Sequence, residues 1–403
     1  MKWYNDDFIK KIPKTDLHVH LDGSLRIPTL IELAREQNIK LPSYTESGLR
    51  ELVFKTSYKN LNEYLTGFDY TCAVMRNPEA IERISYELAL DSFMEGVRYI
   101  EVRFAPQLLM TPDLGFDDIV KASDRGLKRA QKEINAHLAT DEPKFDYGII
   151  ICAMRYCNAD FSPFYKQFFT VHQFSAQREI IRLASLEAAK AAVHLRKETD
   201  VQVVGFDIAG SEYGNPADHH TESYQYIHEH FLHKTVHAGE AFGPESIFLA
   251  ITALHADRIG HGLFLFDTSM ITNPTISDKD RYVEDLVNYI ADRRITIEVC
   301  LSSNLQTVPS IKQIADHSLK TMLKKKLSVT FCTDNRLVSS TSVSREISLA
   351  LDNFQIKARQ LKDIIVYGFK RSFYYGSYPQ KREYVRTVID YYEKLEKEML
   401  NIK

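Results

Sequence analysis

Thr15-Asp16-Leu17-His18-Val19-His20-Leu21-Asp22-Gly23-Ser24 is the stretch that decides the fold. Leu17, Val19 and Leu21 alternate with polar side chains, the period-two pattern of a β-strand. Residues i and i+2 of a strand point to one face. His18 and His20 therefore project together, close enough for both imidazoles to reach one metal ion. Asp22 continues that face, and Gly23 ends the strand in a turn. Taken alone, the pair reads equally as two histidines on a half-exposed edge strand, so its partners further along must decide.

Working outward, further strands are predicted around residues 101, 150, 204, 235, 259, 298 and 330. Helical spacing separates them, at 80–95, 117–139, 178–198, 222–231, 245–255, 283–292 and 311–324, with another helix at 27–37 and more from 344 onward. A polar, aromatic-containing region up to about residue 75 is too long for a simple βα loop; it reads as inserted helices that could cap a site. Eight alternating β and α units imply a parallel sheet and an α/β fold, a TIM (β/α)8 barrel with inserted helices over its C-terminal face. The strand runs read as apolar, as strands covered on both faces are. No repeat, low-complexity tract or flexible linker interrupts the chain, so residues 1–403 are expected to form one domain. An open doubly wound sheet is the alternative, but no Gly-x-Gly-x-x-Gly or P-loop pattern follows any strand.

Composition narrows the function classes. Hydrophobic residues at 44% and charged residues at 26% suit a soluble globular chain with a sizeable core. A formal net charge of −3 argues against a dedicated nucleic-acid or membrane surface. The five cysteines form no Cys-x-x-Cys pair, and Cys152, Cys300 and Cys332 sit in apolar runs as reduced core residues. The N-terminal residues lack an apolar signal region, and no uncharged apolar run is long enough to span a bilayer, so a cytoplasmic location is expected.

A barrel of this type builds its active site where the strands end. His18 and His20 end the first strand, Gly210 follows the fourth, His237 ends the fifth with Glu240 three residues on, His261 ends the sixth, and Asp334 ends the eighth. His228-Glu229-His230 is an internal control: it lies in a helical pattern, where i and i+2 do not share a face, and reads as a solvated pair. His219-His220 and His255 get the same reading. Three imidazoles and one carboxylate suit a borderline ion such as zinc and leave a position for water. Glu240 has a spare carboxyl suited to proton donation, and His261 stands beside the presumed ligands, where it could orient or stabilise the hydroxide.

These motifs resemble those of the adenosine deaminases of the amidohydrolase superfamily. The resemblance runs from Thr15 to about Arg345. It rests on Asp16-Leu17-His18-Val19-His20-Leu21-Asp22-Gly23-Ser24, Glu101-Val102-Arg103-Phe104-Ala105-Pro106, Asp207-Ile208-Ala209-Gly210, His237-Ala238-Gly239-Glu240, Arg258-Ile259-Gly260-His261-Gly262 and Thr333-Asp334. It implies one Zn2+ per chain, held by His18, His20, His237 and Asp334. It also implies a zinc-bound hydroxide attacking C6 of a purine, with Glu240 protonating N1 and His261 and Asp334 managing the proton of the water. His20, Asp22, Gly210, Asn335, Tyr64, Leu65 and Phe68 would meet the substrate, a small purine nucleoside. In this picture Gly210 bonds N3 through its N–H, Asp22 takes the ribose 5′-hydroxyl, and Tyr64, Leu65 and Phe68 form an apolar lid or an ordinary packing stripe.

Asn335 departs from the second aspartate that many members place against purine N7. N7 is an acceptor, and an amide always offers a donor, so the contact is expected to survive. Asp22 favours a free nucleoside over a nucleotide: two unit charges about 4 Å apart at an effective dielectric near 20 repel by on the order of 4 kcal/mol. Adenine-specific relatives tend to carry Glu at that place. Deamination of adenine or of an N6- or 5′-modified adenosine, another metal-dependent hydrolase of the superfamily, and a catalytically idle binding barrel stay open as alternatives. The zinc deaminases that use Pro-Cys-x-x-Cys are excluded, because no Pro-Cys dipeptide occurs.

Overall fold

The computed structural model describes residues 3–59, 61–308 and 310–400. Eight strands form one parallel sheet in sequence order. They are β1 (Lys14–His20), β2 (Val97–Phe104), β3 (Asp146–Met154), β4 (Val203–Ala209), β5 (His233–Ala238), β6 (Arg258–His261), β7 (Thr296–Val299) and β8 (Val329–Phe331). Helices surround them, making a TIM (β/α)8 barrel. Prolines at the first helical turn start several of the helices, as in Pro78–Met94, where Asn77 accepts from Ala80 N, and Pro163–Val171, where Ser162 accepts from Tyr165 N.

The barrel closes between its first and last strands. Val19 bridges Asp334 in parallel; Asp334 N donates to His18 O at 2.8 Å and His20 N to Asp334 O at 2.7 Å. The seam thus sets the backbone of three expected metal ligands side by side.

The expectation of apolar strands needs correction. The barrel interior carries Glu101, Arg103, Asp207, Arg258 and Glu298, all buried. Arg103 reaches Asp207 Oδ2 at 2.7 Å and Glu298 Oε2 at 3.0 Å; Arg258 reaches Glu298 Oε1 at 2.6 Å and also Glu101. Side chains from facing strands meet inside a barrel, so charges separated by a hundred residues or more in sequence can neutralise one another there.

Three further differences are local. Helices Asp6–Lys11, Pro163–Val171 and Leu301–Thr307 join those expected. The helix expected over 311–324 is broken into a turn of 3-10 helix, Ile314–Asp316, and a short helix, Leu319–Lys324. The inserted region contains helices Glu46–Leu52, Leu61–Leu65 and Gly67–Val74. It docks on the loops after β7 and β8: Gln306 Nε2 donates to Thr56 O at 3.2 Å, and Tyr58 OH to Val338 O at 3.2 Å. Among the described residues no helix is long and apolar enough to cross a membrane.

Candidate active site

His18, His20, His237 and Asp334 converge, each offering one ligand atom within 4.8 Å of the others, and all four are buried. Asp334 Oδ1 lies 3.4 Å from His18 Nε2 and 3.4 Å from His20 Nε2. His20 Nε2 faces His237 Nε2 at 3.2 Å. Gly260 makes room for this packing, since a Cβ there would come 3.0 Å from His18 Cε1.

The ring nitrogens pointing away from the cluster meet carboxylates. His18 Nδ1 bonds Glu298 Oε2 at 2.8 Å, and His237 Nδ1 lies 2.9 Å from Asp207 Oδ2. A proton held on each Nδ1 leaves the Nε2 lone pairs free for an ion. The Nε2 of His18 has no hydrogen-bond partner. Burial pushes the His20 and His237 imidazoles below their usual range, so they are neutral and able to ligate. Burial and Arg103 would lower His18 too, but the Asp334 and Glu298 carboxylates raise it; a cation at Nε2 would take the place of that proton. Burial disfavours the Asp334 carboxylate, yet His18, His261 and His20 hold it well below the usual range. The donor set and the orphaned Nε2 fit a divalent ion of zinc type.

Glu298 is left out of the sequence reading and Asp207 is quoted there only within a motif, with no role, although each is a lone acid inside an apolar strand pattern. Glu298 accepts from His18, Arg103, Arg258 and Thr235, so it ties a ligand to the charged barrel interior. Glu298→Gln keeps the shape and removes the charge. It is expected to cost about 3–5 kcal/mol of stability and to weaken metal binding about 10–100-fold. Denaturant unfolding and competition with a chromophoric chelator check both; unchanged values would remove Glu298 from this role.

Glu240 is buried on the loop after β5. Burial, with the charges of Asp334 and Glu212 nearby, pushes its carboxyl up to about 8, so it holds a proton at neutral pH. The loop is wrapped around the buried Glu212 carboxylate, which accepts from the N–H groups of Gly239, Glu240, Ala241 and Phe242 at 2.7–3.1 Å and from Ser246 Oγ at 2.5 Å. No spacing argument singles out Glu212, because its partners belong to the next strand's loop.

His261 is buried beside the cluster, its Nε2 3.9 Å from Glu240 Oε2 and its Nδ1 3.1 Å from Asn304 Nδ2. Ser303 Oγ donates to Asp334 Oδ2 at 2.6 Å. His261 (φ 66°) and Asp334 (φ 59°) both occupy the left-handed region, a cost of about 1–3 kcal/mol each that clusters at functional sites. Gly210 (φ 95°) turns the chain after β4, where a side chain would be strained.

The expected substrate contacts are placed as follows. Asp22 is buried with Oδ1 unpartnered, 3.9 Å from His20 Nδ1; burial raises its carboxyl to about 7. Tyr64 is buried. Its ring packs edge-on against Tyr58, centroids 5.1 Å apart, and its hydroxyl meets Ser339 Oγ at 2.9 Å. Asn335 Nδ2 donates to the same hydroxyl at 2.9 Å, while Asn335 Oδ1 has no partner. Leu65 and Phe68 are half-buried against the main core. Of the expected surface histidines, His228 and His255 stack exposed, centroids 4.7 Å apart. His220 is a correction: it is buried, because the turn Ala217–His220 sets it against the helix Gln177–Glu198, where it bonds Ser185 Oγ at 2.9 Å.

A (β/α)8 barrel with three imidazoles and a carboxylate gathered at its strand ends, beside a protonated glutamic acid, defines a metal-dependent hydrolase of the amidohydrolase class. Residues 13–391 match the family model described as Adenosine deaminase. The chain is 35% identical over 91% of its length, and 91% of the relative's, to a Mycobacterium avium protein named adenosine deaminase. The solved structure of an Arabidopsis N6-mAMP deaminase aligns over 95% of this chain and 99% of its own, with a TM-score of 0.72 and 25% identity. That of an adenine deaminase from Arthrobacter aurescens aligns over 95% and 99%, with a TM-score of 0.73 and 20% identity. The chain belongs to the adenosine deaminase family and is a hydrolase.

Proposed function

We propose that this enzyme hydrolytically deaminates adenosine and 2′-deoxyadenosine to inosine and 2′-deoxyinosine, releasing ammonia, with one zinc ion held by His18, His20, His237 and Asp334. The observation that carries this reading is Glu240, a buried carboxyl protonated at neutral pH beside the four candidate ligands. An ion held by those residues would supply a water acidified toward ~7 as the nucleophile.

The chain's own groups move the protons. As the water oxygen bonds C6, its proton passes to the Asp334 carboxylate, and Glu240 gives its proton to N1. When the C6–N6 bond breaks, the amino group leaves with the proton from Asp334 as ammonia. The hydroxyl left on C6 returns a proton to Glu240, leaving a C6 carbonyl and an N1–H. Gly210 leaves its backbone open to close approach at N3. Asn335 serves N7 after a half-turn of its amide: Oδ1 then accepts from Tyr64 and Nδ2 is free to donate. Leu65 and Phe68 supply apolar cover.

The unpartnered Asp22 Oδ1 selects for a donor, which a ribose 5′-hydroxyl offers and a phosphate dianion does not. With its carboxyl near 7, Asp22 carries only part of a charge at neutral pH, so repulsion is weaker than a full charge would give. AMP is expected to have a kcat/KM at least roughly tenfold below adenosine, a gap of about 1.4 kcal/mol. Loss of ultraviolet absorbance across adenosine, 2′-deoxyadenosine, AMP, adenine and N6-methyl-AMP, with metal analysis, tests the reading. Equal rates on AMP remove Asp22 from its role, and a preference for adenine or N6-methyl-AMP replaces the substrate. We also propose a place in purine salvage in the cytoplasm, where five free, buried thiols stay reduced.

A further inference from the structure

A single backbone amide sets the direction of every hydrogen bond leading to His261. The N–H of Leu319 donates to His317 Nδ1 at 3.0 Å. A peptide N–H can only donate, so His317 Nδ1 bears a lone pair and the ring's one proton is on Nε2. Burial keeps this imidazole neutral, its pKa down at about 3. His317 Nε2 lies 3.2 Å from Asn304 Oδ1. Only the oxygen of an amide accepts, so the way round of the Asn304 amide is settled by its neighbour. Asn304 Nδ2 then faces His261 Nδ1 at 3.1 Å and can only donate to it. His261 Nδ1 therefore carries a lone pair too, and its proton stands on Nε2, the nitrogen 3.9 Å from Glu240 Oε2.

His261, Asn304 and His317 are all buried. The break at His317-Ser318 between Ile314–Asp316 and Leu319–Lys324 makes the arrangement. It turns the first N–H of a helix, which has no acceptor within its own helix, toward the histidine ring.

We propose that Asn304 and His317 are positioning residues that lock His261 as its Nε2–H tautomer, so that His261 donates a hydrogen bond to the attacking oxygen and takes no proton from it. This rests on the proposed deamination, and it leaves Asp334 to receive the proton of the water.

The test is 15N NMR of the metal-loaded enzyme labelled at histidine, with His261→Asn to assign the signals. The expected pattern has a pyridine-type Nδ1 and a pyrrole-type Nε2 at His261. Asn304→Asp puts an acceptor in place of the donor. It should invert the pattern and lower kcat by up to about 10⁴-fold, the scale of a wrong-tautomer substitution in a catalytic triad, with KM changed less than about threefold. His317→Gln still donates to Asn304 and should keep the tautomer and most of kcat. A protonated Nδ1 in the unsubstituted enzyme overturns the proposal, as does an equal fall in kcat for both variants with the tautomer unchanged. The NMR pattern is read without substrate. If it is as expected while none of the purines is turned over, the proposed activity fails and the tautomer assignment stands.

Discussion

Glu240→Gln is expected to lower kcat by about 10²–10⁴-fold, the usual contribution of a positioned general acid. KM for adenosine should change little and bound metal not at all. Gln has the shape of a protonated glutamic acid and can still donate a hydrogen bond to N1, but it cannot give up a proton. The protein holds this carboxyl in its protonated form by burial and by the nearby Asp334 and Glu212 charges, so the neutral amide fits where a carboxylate would be disfavoured. Stability should therefore be unchanged or slightly higher. Steady-state kinetics, metal analysis and thermal unfolding check the three parts. Turnover within tenfold of the unsubstituted enzyme would take Glu240 out of its role.

Stripping the metal with a strong chelator is expected to abolish turnover, and stoichiometric zinc to restore it. The cluster brings two neutral imidazoles, a His18 Nε2 without a hydrogen-bond partner and a carboxylate within 4.8 Å of one another. A cation at their centre would share these lone pairs and take the place of the proton that the carboxylates favour on His18. An ion that binds the folded chain and not the unfolded one stabilises it by about 4 kcal/mol at a thousandfold excess over Kd. The sign is a lower Tm for the stripped protein and recovery on zinc addition, read by calorimetry alongside activity. Full activity with no metal detected would refute the site.

The local part of the site was legible. The i, i+2 alternation of His18 and His20 and the alternation of eight strands with helices follow from periods of two and 3.6 written into neighbouring residues. His237, Glu240, His261 and Asp334 were found because a barrel collects whatever its strands end on. The residues missed act through contacts that local patterns do not encode. Glu298 meets His18 across 280 positions, and Ser303 meets Asp334 across 31. His317 and Asn304 act through hydrogen-bond directions, which no pattern of residue types encodes. His220 looked solvated because its pattern is polar, yet its turn folds it inward.

Local periodicity is enough to specify the barrel, the strand carrying the first two candidate ligands and the residue types at the strand ends. Long-range packing sets the rest: the β1–β8 seam holds Asp334 against His18 and His20, buried arginines balance Glu298, and a chain of hydrogen bonds directs the proton of His261. Those facts depend on which distant groups meet in a space closed to water, where an unpaired charge or donor is costly.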